Sequence, residues 1–387
     1  MKFSASLLCA ALILCAASTA NAQLAVVALE NKVTLVNGVS TVVNNPQPDG
    51  AAILDLSFTP PRLLAQIQLP SATVLGPPTT VALTPNGGMA LLGGGQMHNP
   101  ADKSKLVDHD IVTLVNLQTP TPTVLGTVQV GKQATGIAVS PNGTLALVAN
   151  RGDGTVSVLK ISGTQVTVTG SIALGKADSG PSGIVFTPDG RNALVTRDGD
   201  HFVSVLAVDG DKVTDAKRDI SAGMRPYGIT MASHGRWAAV ANIGRGGGDA
   251  DSFSIIDLTK TPYRTAETVT VGQTPEGIMA SPDGLHVAVV VMNGSNKAKT
   301  NPFYADNGWL QIWRVGGPSE RPVKVTEAPI GHWSQGALFS NDGKTVIAMN
   351  MVEKELQVFS FDGSSLKETG RIAVNGGAAA GRIAGVN

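Results

Sequence analysis

The side chains that open successive apolar runs along this 387-residue chain differ from one run to the next: Lys132, Gln133 and Thr135; Lys176 and Ser182; Arg225 and Tyr227; Glu276; His332, Trp333 and Gln335; then Ala380. A purely structural repeat can use one small residue at every copy. Mixed charge at equivalent positions instead suggests a polar pocket for an anionic or carbonyl-bearing small molecule. Arg225 would neutralise or polarise a substrate oxygen and Glu276 or His332 would move a proton, which makes these three the candidate catalytic set. Lys132, Gln133, Tyr227, Trp333 and Gln335 complete a candidate ligand-binding set. The competing reading is a ring of solvated loop residues, since exposed loop charge is ordinary.

A second chemical cluster lies in residues 93–110 (GGGQMHNPADKSKLVDHD), where imidazole and carboxylate groups recur. His98, Asp108, His109 and Asp110 are the candidate ligands for a divalent cation, with Asp108 and Asp110 on one side of an incoming strand. The spacing matches no recognised metal motif, so a solvated loop is favoured and no cofactor is expected. Asp198, Asp200, His201, Asp249 and Asp251 form sparser clusters that can equally cap turns. His332-Trp333-Ser334-Gln335-Gly336 has histidine where a nucleophile elbow requires glycine. The runs Gly93–Gly95 and Gly246–Gly248 open no helix and read as flexible loop, not as a phosphate cradle.

Residues 1–22 combine Lys2, an apolar stretch over 7–17 and the small-residue exit Ala20-Asn21-Ala22, the pattern of a secretory leader cleaved before Gln23. Both cysteines, Cys9 and Cys15, lie in that leader, so the exported chain is expected to lack disulfides, thiolate nucleophiles, thiolate metal sites and covalent haem attachment. Without Lys2 the remainder has 28 Lys+Arg (29 less one) against 29 Asp+Glu, no basic footprint for nucleic acid and no membrane anchor once the leader is gone. The chain is expected to be periplasmic or secreted.

The elements that must position these residues repeat. A Gly-Ile-like entry, a Ser/Thr-Pro-Asp/Asn-Gly turn and a second apolar run recur at 136–150 (GIAVSPNGTLALVAN), 183–197, 228–242, 277–291 and 336–350, with an earlier copy at 80–92. The turn glycines, Gly87, Gly143, Gly190, Gly235, Gly284 and Gly343, fall 45 to 59 residues apart. Short Val/Ile-rich runs at that period read as four-stranded blades that bury their faces only by stacking on neighbours. The expected fold is an all-β, seven-bladed propeller of four-stranded antiparallel blades forming one domain over residues 23–387. A representative blade is read as an innermost strand at 166–174, then 183–187, 192–197 and 202–208. The seventh blade is assembled from both ends, 366–374 and 378–386 pairing with 24–29 and 51–58. Asp189, Asp283 and Asp342 are expected to be turn formers. The opposite face, with long connections at 30–50, 93–110, 243–251 and 292–308, is the expected functional face.

The phrase LVANRGDGTVSVLKI (147–161), preceded by TGIAVSPNG, resembles the YVTN-type propeller repeat of exported and surface proteins. By extension the chain resembles the lactonase-like group of seven-bladed propellers, which also includes haem d1-type and amine-dehydrogenase heavy-chain propellers. The resemblance implies a lactonase-like hydrolase or isomerase acting on a small organic molecule. Two alternatives stay open: a non-catalytic platform that binds a small ligand or docks a periplasmic protein, and a propeller subunit of an exported redox enzyme. A monomer is expected.

Overall fold

The computed structural model describes residues 23–385; the assigned leader, with Cys9 and Cys15, lies outside the described residues. Seven four-stranded antiparallel sheets are arranged as propeller blades, with one additional two-stranded hairpin. Blade 1 takes its strands from both ends of the chain, in the order Gly377–Ile383, Leu24–Glu30, Gly50–Asp55, Arg62–Gln68. Blades 2 to 7 then come in chain order, their innermost strands being Val81–Leu83, Ala134–Val139, Pro181–Phe186, Pro226–Met231, Pro275–Ala280 and Ala337–Phe339.

The blade boundaries fall one strand later than the sequence pattern suggested. Gln165–Ala173, expected to be innermost, is the exposed outer strand of blade 3, whereas Pro181–Phe186 is buried throughout and begins blade 4. Burial on both faces marks the inner strand, and period-2 alternation alone does not separate the two. The same shift corrects the closure. Leu366–Ala373 completes blade 7, and blade 1 receives one strand from the C-terminal end and three from the N-terminal end, including Arg62–Gln68. Terminal pairing is antiparallel, with Val26 opposite Arg382 and Ala28 opposite Ala380.

The core is a series of layers. Seven apolar clusters each fill one interface between adjacent blades; Leu147, Val158, Ile184 and Phe186 pack between blades 3 and 4, and Trp237, Phe253, Val289 and Trp313 between blades 5 and 6. At one end the strands are joined by regular turns. The hydroxyls of Thr84, Ser140, Thr187, Ser281 and Ser340 each donate to the Asn or Asp two residues on and accept the backbone N–H five residues on. The turn glycines adopt φ of +67° to +73°, a region closed to most side chains. Asp189, Asp283 and Asp342 are thus turn formers, as expected.

The glycine that opens each inner strand has a different origin. A Cβ on Gly136 would lie 2.0 Å from the Ser182 carbonyl oxygen, and on Gly183, Gly228 and Gly277 it would lie 2.7, 2.7 and 2.5 Å from those of Tyr227, Glu276 and Gln335. Neighbouring inner strands therefore touch backbone to backbone around the axis. We predict that Gly277→Ala lowers stability by about 1–3 kcal/mol, the usual cost of overpacking. Gly170→Ala, where a Cβ meets nothing within 4 Å, should change it by no more than about 0.5 kcal/mol. Denaturant melts of both variants check this, and equal stabilities would show that the axial contact does not constrain the ring.

Candidate functional site

Just before each of those glycines stands the residue whose type varies. Thr135, Ser182, Tyr227 and Glu276 are all buried, as are Gln335 and Ala380 before Gly336 and Gly381. Two residues earlier the chain enters a left-handed conformation at Gln133, Gly180, Arg225, Thr274 and Trp333, with φ between +49° and +60°. Glycine adopts that geometry freely, as Gly180 does; Gln, Arg, Thr and Trp adopt it at a cost. The carbonyls of Gln133, Arg225 and Thr274 accept backbone N–H groups from Arg151, Ile243 and Met292, which fixes the turn.

An ion network spans blades 3 to 5. Asp198 is almost wholly buried and takes a two-pronged contact from Arg151, with Nη2 2.9 Å from Oδ2 and Nη1 on Oδ1. Arg225 Nη2 donates to the same Oδ2 at 3.1 Å, and the Ser182 hydroxyl donates to Oδ1 at 3.0 Å. Burial pushes the Asp198 carboxyl up, but the hydrogen bonds and charges of Arg151 and Arg225 outweigh it and hold the group below the usual carboxylate range. The Arg151 guanidinium also lies 5.8 Å from the centroid of the buried Tyr227 ring. Tyr227 is pushed upward by burial and by Glu276.

Glu276 has a different balance. It is 8% exposed and its carboxyl has no hydrogen-bond partner among the described residues, so burial raises its pKa to about 8 against the lowering effect of Arg225. Near neutrality the two guanidiniums face one ionised carboxylate and one mostly protonated carboxyl, leaving about one positive charge, a setting suited to an anion or a developing oxyanion. At the matching position of blade 7, Gln335 Oε1 is buried without a partner while its Nε2 donates to the Trp333 carbonyl at 3.1 Å; Thr80 Oγ1 is likewise unpaired.

The remaining sequence candidates separate from this centre. His332 is held at the rim, Nδ1 2.7 Å from Glu353 and Nε2 3.5 Å from Asp306. Lys132 is exposed, its backbone N–H donating to Asp153. Gln133 Nε2 donates to Asp108 at 2.6 Å, Asp110 accepts from Gln129, and His98 Nδ1 contacts the Lys103 carbonyl. His109 projects from the side of the strand opposite Asp108 and Asp110, half-buried and with its pKa lowered by that burial. Among the described residues no three His, Cys, Asp or Glu side chains come together as a cation cage. Residues 93–110 are not loose: Met89–Asn99 and Asp102–Asn116 form one long hairpin. Gly93 and Gly95 admit the Ala134 carbonyl and Gly94 admits Ser71, so this glycine run serves close packing.

Sequence reasoning missed Arg151 and gave Asp198 only a minor place. The available signal was a broken pattern. The residue just after the second strand is apolar at Ile243, Met292 and Met351 but charged at Arg151 and Asp198. Excursions from three blades roof the mouth. The hairpin Val33–Val36/Val39–Val42 sets Gly38 directly on the backbone at Lys297–Ala298, Lys297 Nζ reaches the Gly246 carbonyl at 2.6 Å, and Gly248 sits against the Phe303 ring. Ser295 Oγ accepts the Trp333 N–H at 3.2 Å, tying this roof to the mouth. A wider depression of about 850 Å³ lies at the opposite end, but Asp283, Asp342 and Asp362 there hold their own turns.

Fold and side chains together define a seven-bladed propeller with a buried charged cluster shared by neighbouring blades. The model of the family "Lactonase, 7-bladed beta-propeller" matches residues 106–225, a segment that contains Arg151, Ser182, Asp198 and Arg225. A putative 6-phosphogluconolactonase from Bacteroides fragilis has a similar structure, at 15% identity and TM-score 0.70, covering 95% of this chain and 99% of its own. The periplasmic gluconolactonase of Pseudomonas aeruginosa is similar at 17% identity and TM-score 0.67, covering 94% and 100%. A protein of unknown function from Desulfotomaculum acetoxidans is similar at 16% identity and TM-score 0.70, covering 94% and 100%. At these identities the likeness establishes the fold. No curated protein matches the sequence.

Glu276 generates a stability prediction. Between its ordinary pKa of 4.5 and its folded value of about 8, the folded chain keeps a proton that the unfolded chain has released. Its contribution is therefore fully present below pH 4.5 and is lost as pH rises through 8. Glu276→Gln, neutral throughout, should flatten the decline in melting temperature between about pH 5 and 8.5 relative to the parent, as read by calorimetry. Parallel curves would mean that Glu276 titrates normally.

Proposed function

We propose that the protein is an exported lactonase-like hydrolase that opens the lactone of a small polyhydroxy acid at the axial mouth. The observation that carries this reading is the Glu276 carboxyl, buried and without a protein partner beside the Arg151–Asp198–Arg225 network. The partial match to the lactonase family model and the gluconolactonase names of two proteins with the same fold support this substrate class.

Hydrolysis needs a proton taken from water as its oxygen adds to the lactone carbonyl, and a proton given to the ring oxygen as the C–O bond breaks. Ionised Glu276 performs the first transfer and returns the same proton in the second. Arg225 is the free-standing donor of the network. Asp198 occupies Nη2, and Nη1 reaches only the Gly244 carbonyl at a long 3.4 Å, so the guanidinium can turn to the developing oxyanion and then to the product carboxylate. Arg151, whose Nη1 and Nη2 are both taken up by Asp198 and Ser182, serves to position that carboxylate.

Because the base is the ionised form, kcat/KM for a sugar-acid lactone, corrected for spontaneous opening, should rise about tenfold per pH unit below 8 and level off above it. Glu276→Gln should lower kcat by about 10²–10⁴ with ligand affinity nearly unchanged, and Arg225→Ala should chiefly weaken binding. Calorimetric binding with no turnover in the parent would turn the assignment to a ligand-binding platform. Full activity in both variants would move the site away from this mouth.

A further inference from the structure

The axis below the mouth holds a second feature that lactone opening does not use. The inner strands of blades 2, 3 and 4 line a pocket of about 30 Å³ with apolar side chains, Ala82, Ala138, Val185 and Phe186 among them, and Arg382 is the only polar side chain in its wall. Arg382 belongs to Gly377–Ile383, the strand that closes blade 1, yet its Nη1 lies 3.6 Å from Met279 Sδ of blade 6, so the side chain spans two interblade steps across the axis. Met279 Sδ in turn lies 3.9 Å from Thr230 Oγ1. No carboxylate of the described residues pairs with this guanidinium. Enclosure lowers its pKa to about 10, which leaves it charged at neutral pH.

Arg382 is only partly buried, but its guanidinium sits among apolar side chains with no carboxylate of the described residues beside it, a setting in which a counter-ion is favoured. The pocket is the size of about one water molecule. It is too small for a carboxylate or phosphate and suits a monatomic anion. We propose that the axial pocket binds a single halide ion, chloride under physiological conditions, through the Arg382 guanidinium, and that this ion holds the closing strand of blade 1 to the opposite blades. The site is independent of chemistry at the mouth.

The test uses the full chain dialysed into sodium methanesulfonate, whose anion exceeds the pocket, and then titrated with chloride at constant ionic strength. The melting temperature should climb by a few degrees over two decades of chloride, in line with mass action on the folded state. Arg382→Met should remove the dependence, and Ala138→Val, which keeps the arginine but fills the pocket, should remove it too, so that misfolding of the first variant leaves the question answerable. A crystal soaked in bromide should show anomalous density beside Arg382. A flat chloride titration of the parent, an undiminished dependence in the variant that folds, or bromide found only on the outer surface would each overturn the proposal.

Discussion

The close approach of one inner strand to the next governs the chemistry around the axis. Where Gly136, Gly183, Gly228 and Gly277 meet the carbonyls of Ser182, Tyr227, Glu276 and Gln335, there is no room for a side chain. The residue before each glycine is consequently pressed into the buried rim of the channel whatever its chemistry. In a repeat that needed only packing, small residues would suffice there. Here the constraint seats a tyrosine and a glutamate in adjacent blades, and desolvation becomes the dominant influence on both.

Two carboxylates under the same burial respond in opposite ways because their neighbours differ. Asp198 receives both guanidiniums and a hydroxyl, enough to outweigh its desolvation; Glu276 has only the through-space charge of Arg225 and protonates near pH 8. The division resembles the separation of paired ionisable groups into one that stays charged and one that exchanges protons. Breaking the Asp198 network would leave buried charge uncompensated, so its integrity concerns folding as well as chemistry. The left-handed backbone at Arg225 and Trp333 is a further cost at this mouth, and such strain persists where the surrounding structure fixes it.

The blade count was legible from the turn glycines and the spacing of apolar runs, because both arise from local physics: a positive φ at Gly87 through Gly343 and a two-residue strand period. Strand order within a blade was less legible. Gln165–Ala173 and Pro181–Phe186 both read as strands, and only contact with neighbouring blades distinguishes outermost from innermost. The site was visible in part for the same reason. Arg225, Tyr227 and Glu276 announce themselves by interrupting an aligned repeat position, whereas Arg151 and His332 depend on where side chains turn in space. Arg151 joins the centre from another blade, and His332 leaves it for Glu353 and Asp306.

The two ends of the propeller also divide the work between regularity and variation. At the turn end, one hydroxyl-to-carboxamide or hydroxyl-to-carboxylate device recurs and commits its acidic groups to backbone geometry. At the mouth end, the repeated Asn150, Asn242 and Asn350 fasten each interblade turn by accepting the N–H of Gly131, Gly223 and Gly331 while donating to the third strand. Because these amides carry the structural task, the residues beside them are free to change type, and Arg151 comes directly after Asn150. Blade 4 departs from the device. It has Arg197 where blades 3, 5 and 7 have asparagine and blade 6 has Val291, and that arginine turns outward to Asp200 and Asp219 while the next residue, Asp198, takes the inward position between Arg151 and Arg225. Absence of the amide alone does not bring charge inward, since blade 6 also lacks it and follows with the buried Met292; in blade 4 it is the pairing of Asp198 with guanidiniums from the two flanking blades that holds a carboxylate in the interior.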